Sequence, residues 1–234
     1  MIKIDEVVLS GGRITKGVVR IRNTVRRPLN DHTKFAHKVL NFLSKSELDI
    51  SPTVYGIDEK KREVLEYIPG FSPDDLGFFT DDQCLVAAKI ILSMHRYLSH
   101  MDCCPVGKTI CHHDLSPCNF IFQDNIPVAI IDWDSVAIGN PIDDLAYAVW
   151  LWLDIGNDKH NAVEIARRIK LMIDAYGLPQ EKRRQFFQEI MNQMHRIANS
   201  TFPTQKQTNE TREWALKCLD WMQTYNQEIR RNIL

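Results

Sequence analysis

Residues 111–146, CHHDLSPCNFIFQDNIPVAIIDWDSVAIGNPIDDLA, constrain this chain more than any other stretch. They concentrate acid and amide side chains within apolar, strand-like sequence. Asp114 and Asn119 bracket a short loop that contains Pro117. The apolar runs Phe120–Phe122 and Val128–Ile131 flank Gln123, Asp124 and Asn125, residues that favour turns. Two such runs around a short polar turn predict a β-hairpin. A turn centred between Asn125 and Ile126 places Asn119 opposite Asp132, with Asp114 approaching the same end through the loop. The side chains of Asp114, Asn119 and Asp132 then meet at one end of the hairpin. Such hard oxygen donors suit Mg²⁺, which a few side-chain oxygens and substrate phosphates commonly hold together.

The pattern His112-x-Asp114, then Asn119, then Asp132 at a strand end resembles the catalytic loop and metal-binding Asp of protein kinases. The Ile131-Asp132-Trp133-Asp134 ending and the downstream Gly139-Asn140-Pro141-Ile142-Asp143-Asp144-Leu145-Ala146 resemble, more narrowly, the aminoglycoside phosphotransferase and choline kinase family. These are small-molecule kinases of the protein-kinase-like fold. The resemblance implies an α+β, two-lobed fold: a small antiparallel β N-terminal lobe, and a larger, mostly helical C-terminal lobe. It implies transfer of the γ-phosphate of ATP or GTP, with Mg²⁺, to a hydroxyl of an aminoglycoside, a choline-like molecule, a sugar or an amino-alcohol. Asp114 takes the catalytic position, and Asn119 and Asp132 take the metal positions. His112 is expected to brace the loop. Asp144 is expected either to cap the helix it opens or to brace the catalytic loop from behind. Asp134 could assist the metal or serve structure. His113 stands where this branch usually has Gly.

Composition agrees with a soluble, reduced enzyme. The chain has 234 residues, 44% hydrophobic, with a net charge of −1. Neither a nucleic acid nor a membrane surface is suggested as a partner. No apolar run approaches the roughly 20 residues that span a bilayer, and MIKIDEVVLS lacks signal-peptide architecture. Six cysteines form no C-x-x-C pair, which fits reduced thiols in the cytoplasm. A zinc site at Cys111, His112, His113 and Cys118 has the wrong spacing.

The N-terminal lobe is expected over residues 1–68. Strands at Val7–Leu9, Gly17–Ile21 and Thr24–Arg27 surround a turn at Ser10-Gly11-Gly12. In the resembled lobe, the turn at Gly11 and Gly12 covers the phosphates, and a cation on the next strand but one pairs with them. Kinases use Lys there; this chain offers Arg26 and Arg27. Strand alternation lets only one face the cleft, and alignment with the usual strand ending favours Arg26. A helix over Asp31–Ser44 carries no interior Glu to pair with that cation. This absence favours the competing expectation of a kinase-like module that binds without transferring phosphate. Strands follow at Pro52–Ile57 and Glu63–Ile68. Glu66 and Ile68 would offer backbone groups to the nucleotide base, before a hinge at Pro69-Gly70.

The C-terminal lobe is expected over 69–234. Helical spacing predicts helices from Asp81 or Asp82 to Leu98, and over Asp143–Leu153, Ala162–Tyr176, Gln180–Asn199 and Thr211–Arg230, with a loop at Ser200–Asn209. His95 reads as a satisfied core histidine. Lys159, Arg167, Arg168 and Lys170 make a poor wall for a polycationic aminoglycoside.

Overall fold

The computed structural model describes residues 6–9 and 17–233. Gly11 and Gly12 lie outside the described residues.

A five-stranded antiparallel sheet opens the chain, in the order β1-β2-β3-β5-β4. Its strands are β1 (Val7–Val8), β2 (Val19–Ile21), β3 (Thr24–Pro28), β4 (Val54–Ile57) and β5 (Arg62–Glu66). Helix α1 (Thr33–Leu43) crosses from β3 to β4 and buries Ala36, Val39, Leu40 and Leu43. The expected start of this helix at Asp31 is two residues early. Asn30 instead folds back, its side chain accepting from the His32 amide at 2.8 Å.

The remainder is mostly helical. Helix α2 (Asp81–Leu98) starts at Thr80, whose hydroxyl and the Gln83 side chain form a reciprocal capping box. Asp81 and Asp82, expected as caps, fall in the first turn. Asp81 there pairs with Arg168, a fully buried cation. Helix α3 (Pro141–Trp152) is buried nearly all round, as its apolar sequence requires. Helices α4 (Ala162–Tyr176), α5 (Arg183–Ala198), α6 (Gln205–Thr224) and α7 (Asn226–Ile233) complete the chain. α4 packs on α2 and α7, while α5 packs on α3 and α6.

Between α2 and α3 lie two small sheets. Strands β6 (Thr109–Cys111) and β9 (Ala137–Gly139) pair antiparallel, and β7 (Phe120–Gln123) with β8 (Ile126–Ile130) form the expected hairpin. The architecture is the two-lobed, α+β, protein-kinase-like one. Its main core runs through α2, α3, α4 and α5 and reaches the hairpin at Phe120, Phe122 and Ile130.

Candidate active site

The hairpin turns one residue earlier than the sequence suggests. Asp124 and Asn125 form the turn, with φ of 48° and 62°. Asp and Asn tolerate this left-handed region better than most residues. A bulge between Ile121 and Phe122 then shifts the register by one. As a result Asn119 faces Ile131, whose amide donates to the Asn119 carbonyl at 2.9 Å. Asp132 follows directly, in a left-handed conformation with φ of 61°. The carboxylate thereby leaves the strand at the hairpin's open end.

Asp114 sits in the loop after β6. Its main-chain carbonyl accepts from Asn119 Nδ2 at 2.9 Å. With its nitrogen so used, the Asn119 amide has its oxygen to offer a cation. Asp114 Oδ1 accepts from the Tyr147 hydroxyl of α3 at 3.0 Å. Burial pushes the Asp114 carboxyl above its usual range, with Asp132 adding to the rise and the Tyr147 hydrogen bond opposing it.

Asp144 holds the loop from behind. It is 1% exposed. Its two oxygens accept from the amides of His112 at 2.7 Å and His113 at 2.8 Å. His95 Nε2 lies 3.0 Å from Oδ2, and His95 Nδ1 meets the Tyr176 hydroxyl at 2.8 Å. The helix cap is Asn140, which accepts from the Ile142 amide. Of the two roles expected of Asp144, the structure thus gives it the brace. Burial would raise its carboxyl, but the His95 hydrogen bond outweighs that, with the His112 contacts, and holds it below the ordinary Asp range. His95, Cys111 and Asp144 come together with metal-ligand atoms within 4.8 Å of one another. Hydrogen bonds within the protein already use both Asp144 oxygens and both His95 nitrogens, so the cluster reads as a brace.

His112 is fully buried. Its Nε2 donates to the Ile131 carbonyl at 3.1 Å, tying the loop to the hairpin end, and its ring stands edge-on to Trp133. Burial holds its pKa below the usual value. Among the described residues its Nδ1 meets no hydrogen-bond partner. His113 has φ of 63°. Gly adopts this left-handed region more readily than His does. Its ring lies against Gly139, where a β-carbon would come within 3.2 Å of it.

The guanidinium that reaches Asp132 is that of Arg27, not the favoured Arg26. Arg26 turns to the other face of β3 and pairs with Asp58 at 3.5 Å. Arg27 is 8% exposed. Its NH1 lies 3.1 Å from Asp132 Oδ1, its NH2 bonds Asp134, and its Nε forms a 2.9 Å ion pair with Glu63 Oε1. Burial works against the Arg27 charge, but Asp132, Asp134 and Glu63 outweigh it and raise its pKa. Glu63 stands directly opposite Arg27 in the β3–β5 register. Its other oxygen meets His37 Nε2 of α1 at 2.8 Å. Burial lifts the Glu63 carboxyl, against the pull of Arg27 and His37.

At the hinge, the Glu66 amide donates to the Thr53 carbonyl, and its carboxylate accepts from the Thr53 hydroxyl at 2.7 Å. The Glu66 N–H is therefore already used within the sheet. Ile68 follows in the extended link to Pro69.

Sequence reasoning missed Glu63 and Tyr147. The β3–β5 pairing would have exposed Glu63, since opposite charges commonly face each other across antiparallel strands. Tyr147 lies three residues after Asp144, one helical turn along the same face.

Comparison with known proteins bears on the fold. Residues 105–177 match the family model described as the phosphotransferase enzyme family. The trifolitoxin immunity protein of Rhizobium leguminosarum bv. trifolii is 25% identical over 209 residues, 80% of each chain. A microcompartment-associated aminopropanol kinase superposes with a TM-score of 0.69 at 13% identity, covering 97% of this chain and 94% of its own. A choline kinase from Cryptosporidium parvum gives 0.66 at 13% identity, covering 99% and 91%. The aminoglycoside phosphotransferase APH(2″)-IIa, in its streptomycin–ATP complex, gives 0.58 at 15% identity, covering 83% and 86%. The chain shares the fold of these kinases, and the resemblance read from residues 111–146 holds.

Proposed function

We propose, from the kinase-like fold and the phosphotransferase match over residues 105–177, that this chain moves the γ-phosphate of ATP or GTP to a hydroxyl of a small molecule. The observation that carries this reading is the gathering of Asp114, Asn119, Asp132 and Arg27 around the open end of one hairpin.

The donor chemistry fits Mg²⁺. Asp132 and Asn119 offer oxygen only, and Asp132, Asp134 and Glu63 bring three carboxylates to one guanidinium. That surplus of negative charge favours a further cation. Asn119 and Asp132 would hold Mg²⁺, which when bound neutralises charge between the β- and γ-phosphates.

The residues then divide the work. Asp114 accepts the proton of the acceptor hydroxyl as its oxygen bonds to the γ-phosphorus. The bond from that phosphorus to the β–γ bridging oxygen breaks, and the nucleoside diphosphate leaves. Its raised pKa suits a proton acceptor better than an ordinary exposed carboxylate would. Tyr147 and the Asp144 brace fix its position. Arg27 offers a planar fork matched to phosphate oxygens. The hinge at Ile68 borders the base.

The competing reading, a module that binds without transfer, draws on the lack of an acid in α1. Glu63 supplies the Arg27 counter-charge from β5 instead, so the lack loses its force. For the acceptor, relatives named for aminopropanol, choline and aminoglycosides point to an amino-alcohol, a choline-like molecule, a sugar or an aminoglycoside. The immunity relative adds a role: phosphorylating a hydroxyl on a toxic molecule would protect the cell. Among the described residues the cysteines form no disulfide, which fits work in the reducing cytoplasm. Among the described residues, no helix is long and apolar enough to cross a membrane.

Thermal unfolding tests the nucleotide site. A ligand at 100 times its Kd stabilises by about 2.7 kcal/mol, a rise of about 5–10 °C in Tm for a chain of this size. We expect that rise with ATP or GTP plus Mg²⁺, and its loss in Asp132→Ala. No rise with either nucleotide would count against the site.

A further inference from the structure

Kinase-like folds pair the phosphate cation with an acid on the helix beside the sheet; here α1, read TKFAHKVLNFL, has no acid at all. The cation still has a buried carboxylate partner. Glu63 is 2% exposed, lies on the neighbouring strand β5, and faces Arg27 in register. One of its oxygens lies 2.9 Å from Arg27 Nε, an ion pair without a hydrogen bond, and the other meets His37 Nε2 at 2.8 Å. A chain of contacts thus runs from α1 through Glu63 to the guanidinium. The far edge of the same guanidinium meets Asp132 and Asp134.

We infer that Glu63 and His37 are positioning residues for Arg27, together replacing the absent helix acid. The inference rests on the phosphotransferase reading above. The physics is directional. A guanidinium is planar, and fixing its Nε edge fixes where NH1 and NH2 point. Glu63 holds that edge from within the sheet, so the fork is turned toward Asp132 and the nucleotide. The Arg27 charge offsets the burial of the carboxylate, although Glu63 Oε1 accepts no hydrogen bond among the described residues. His37 supplies a hydrogen bond at the other oxygen and so stops Glu63 from rotating away. It also ties the setting of α1 to the aim of the cation. The fork that meets Asp132 and Asp134 in the free protein is the one presented to the triphosphate. When phosphate oxygens take it, Asp132 is released to a cation.

The test compares two ligands on the full chain, the Mg²⁺ nucleoside triphosphate and the bare nucleoside, by calorimetry, with Tm measured on each free variant. The variants are Glu63→Gln, His37→Leu and His37→Gln. Glu63→Gln loses the charge that holds Arg27, and should weaken triphosphate binding about 10–100-fold, the value of one charge-assisted contact. Nucleoside binding should change less than about twofold. His37→Leu should weaken the triphosphate in the same selective way. His37→Gln, which keeps an N–H donor for Glu63, should recover most of the affinity. A merely structural role would lower Tm and weaken both ligands alike, and that result overturns the inference. So does triphosphate binding in Glu63→Gln and His37→Leu equal to that of the wild type. If Glu63→Gln does not fold, the two His37 variants decide by the same comparison. A wild type that binds no nucleotide overturns the phosphotransferase reading first, and this inference with it.

Discussion

Asp144 carries three contacts on two oxygens, and its replacement shows what a single buried side chain holds here. Asn in its place would keep one acceptor where two amides and His95 require two, and its NH₂ would face donors. We expect Asp144→Asn to lower the unfolding free energy by about 2–4 kcal/mol, read from the midpoint of urea unfolding. A loss below about 1 kcal/mol would show the brace to be dispensable. The pH dependence has a definite sign. The folded pKa lies below the ordinary Asp value. The stabilisation is therefore complete above about pH 4 and fades only as pH falls through the lowered folded value. The gap between wild type and variant should close as pH falls below about 4. The motif around Asp144 was plain in the sequence, but its role was not. Cap and brace are compatible for an Asp in a first turn; here Asn140 caps the helix, and both Asp144 oxygens bond the loop.

At the level of elements, residues 111–146 were legible because turn chemistry and apolar runs agree there. The bulge was not, because one extra residue in an apolar run leaves no compositional mark. Strand β9 has one large apolar residue in Ala137–Gly139, too little for a pattern. Arg26 was favoured over Arg27 by alignment alone, because alternation states that two neighbours face opposite ways, not which of them faces inward. The informative sign was Val25, which shares a face with Arg27 and pairs with the core residue Leu65. The sequence placed a loop at Ser200–Asn209 because the segment is polar. The structure starts α6 inside it, from a Thr204–Gln207 capping box on an exposed helix turn. The link from the sheet to the helical part makes its own demand. Gly70 has φ of 148°, and a β-carbon there would come within 2.6 Å of the Phe122 carbonyl and 2.5 Å of Ile121. The next residue, Phe71, exchanges main-chain hydrogen bonds with Phe122. Gly70→Ala must part these strands, and should cost about 1–3 kcal/mol. An alanine variant with an unchanged urea midpoint would show that the link packs less tightly than it does in this structure.

At the scale of the molecule, the small sheet supplies Arg27 and Glu63, and the hairpin end supplies Asn119 and Asp132, the oxygens proposed for the metal. Helix α3 and its neighbours hold the loop after β6 in place. Arg27 and Asp132 join these parts. The fold class was readable because the motif of residues 111–146 fits a strand–loop–hairpin frame. The acceptor was not readable, because no single charged cluster marks its wall. Phosphoryl transfer itself is the most direct test of the central claim. Wild type and Asp114→Asn should be compared for transfer of labelled γ-phosphate from ATP or GTP to a panel of amino-alcohols, sugars and aminoglycosides, with nucleotide affinity measured in parallel. Proton acceptance and positioning by one group are worth about 10²–10⁴ in rate. The wild type should label at least one acceptor. Asp114→Asn should bind Mg²⁺–nucleotide nearly as well and transfer at least about 10²-fold more slowly. Equal transfer by the two proteins, or nucleotide binding by the wild type with no acceptor labelled across the panel, would contradict the account.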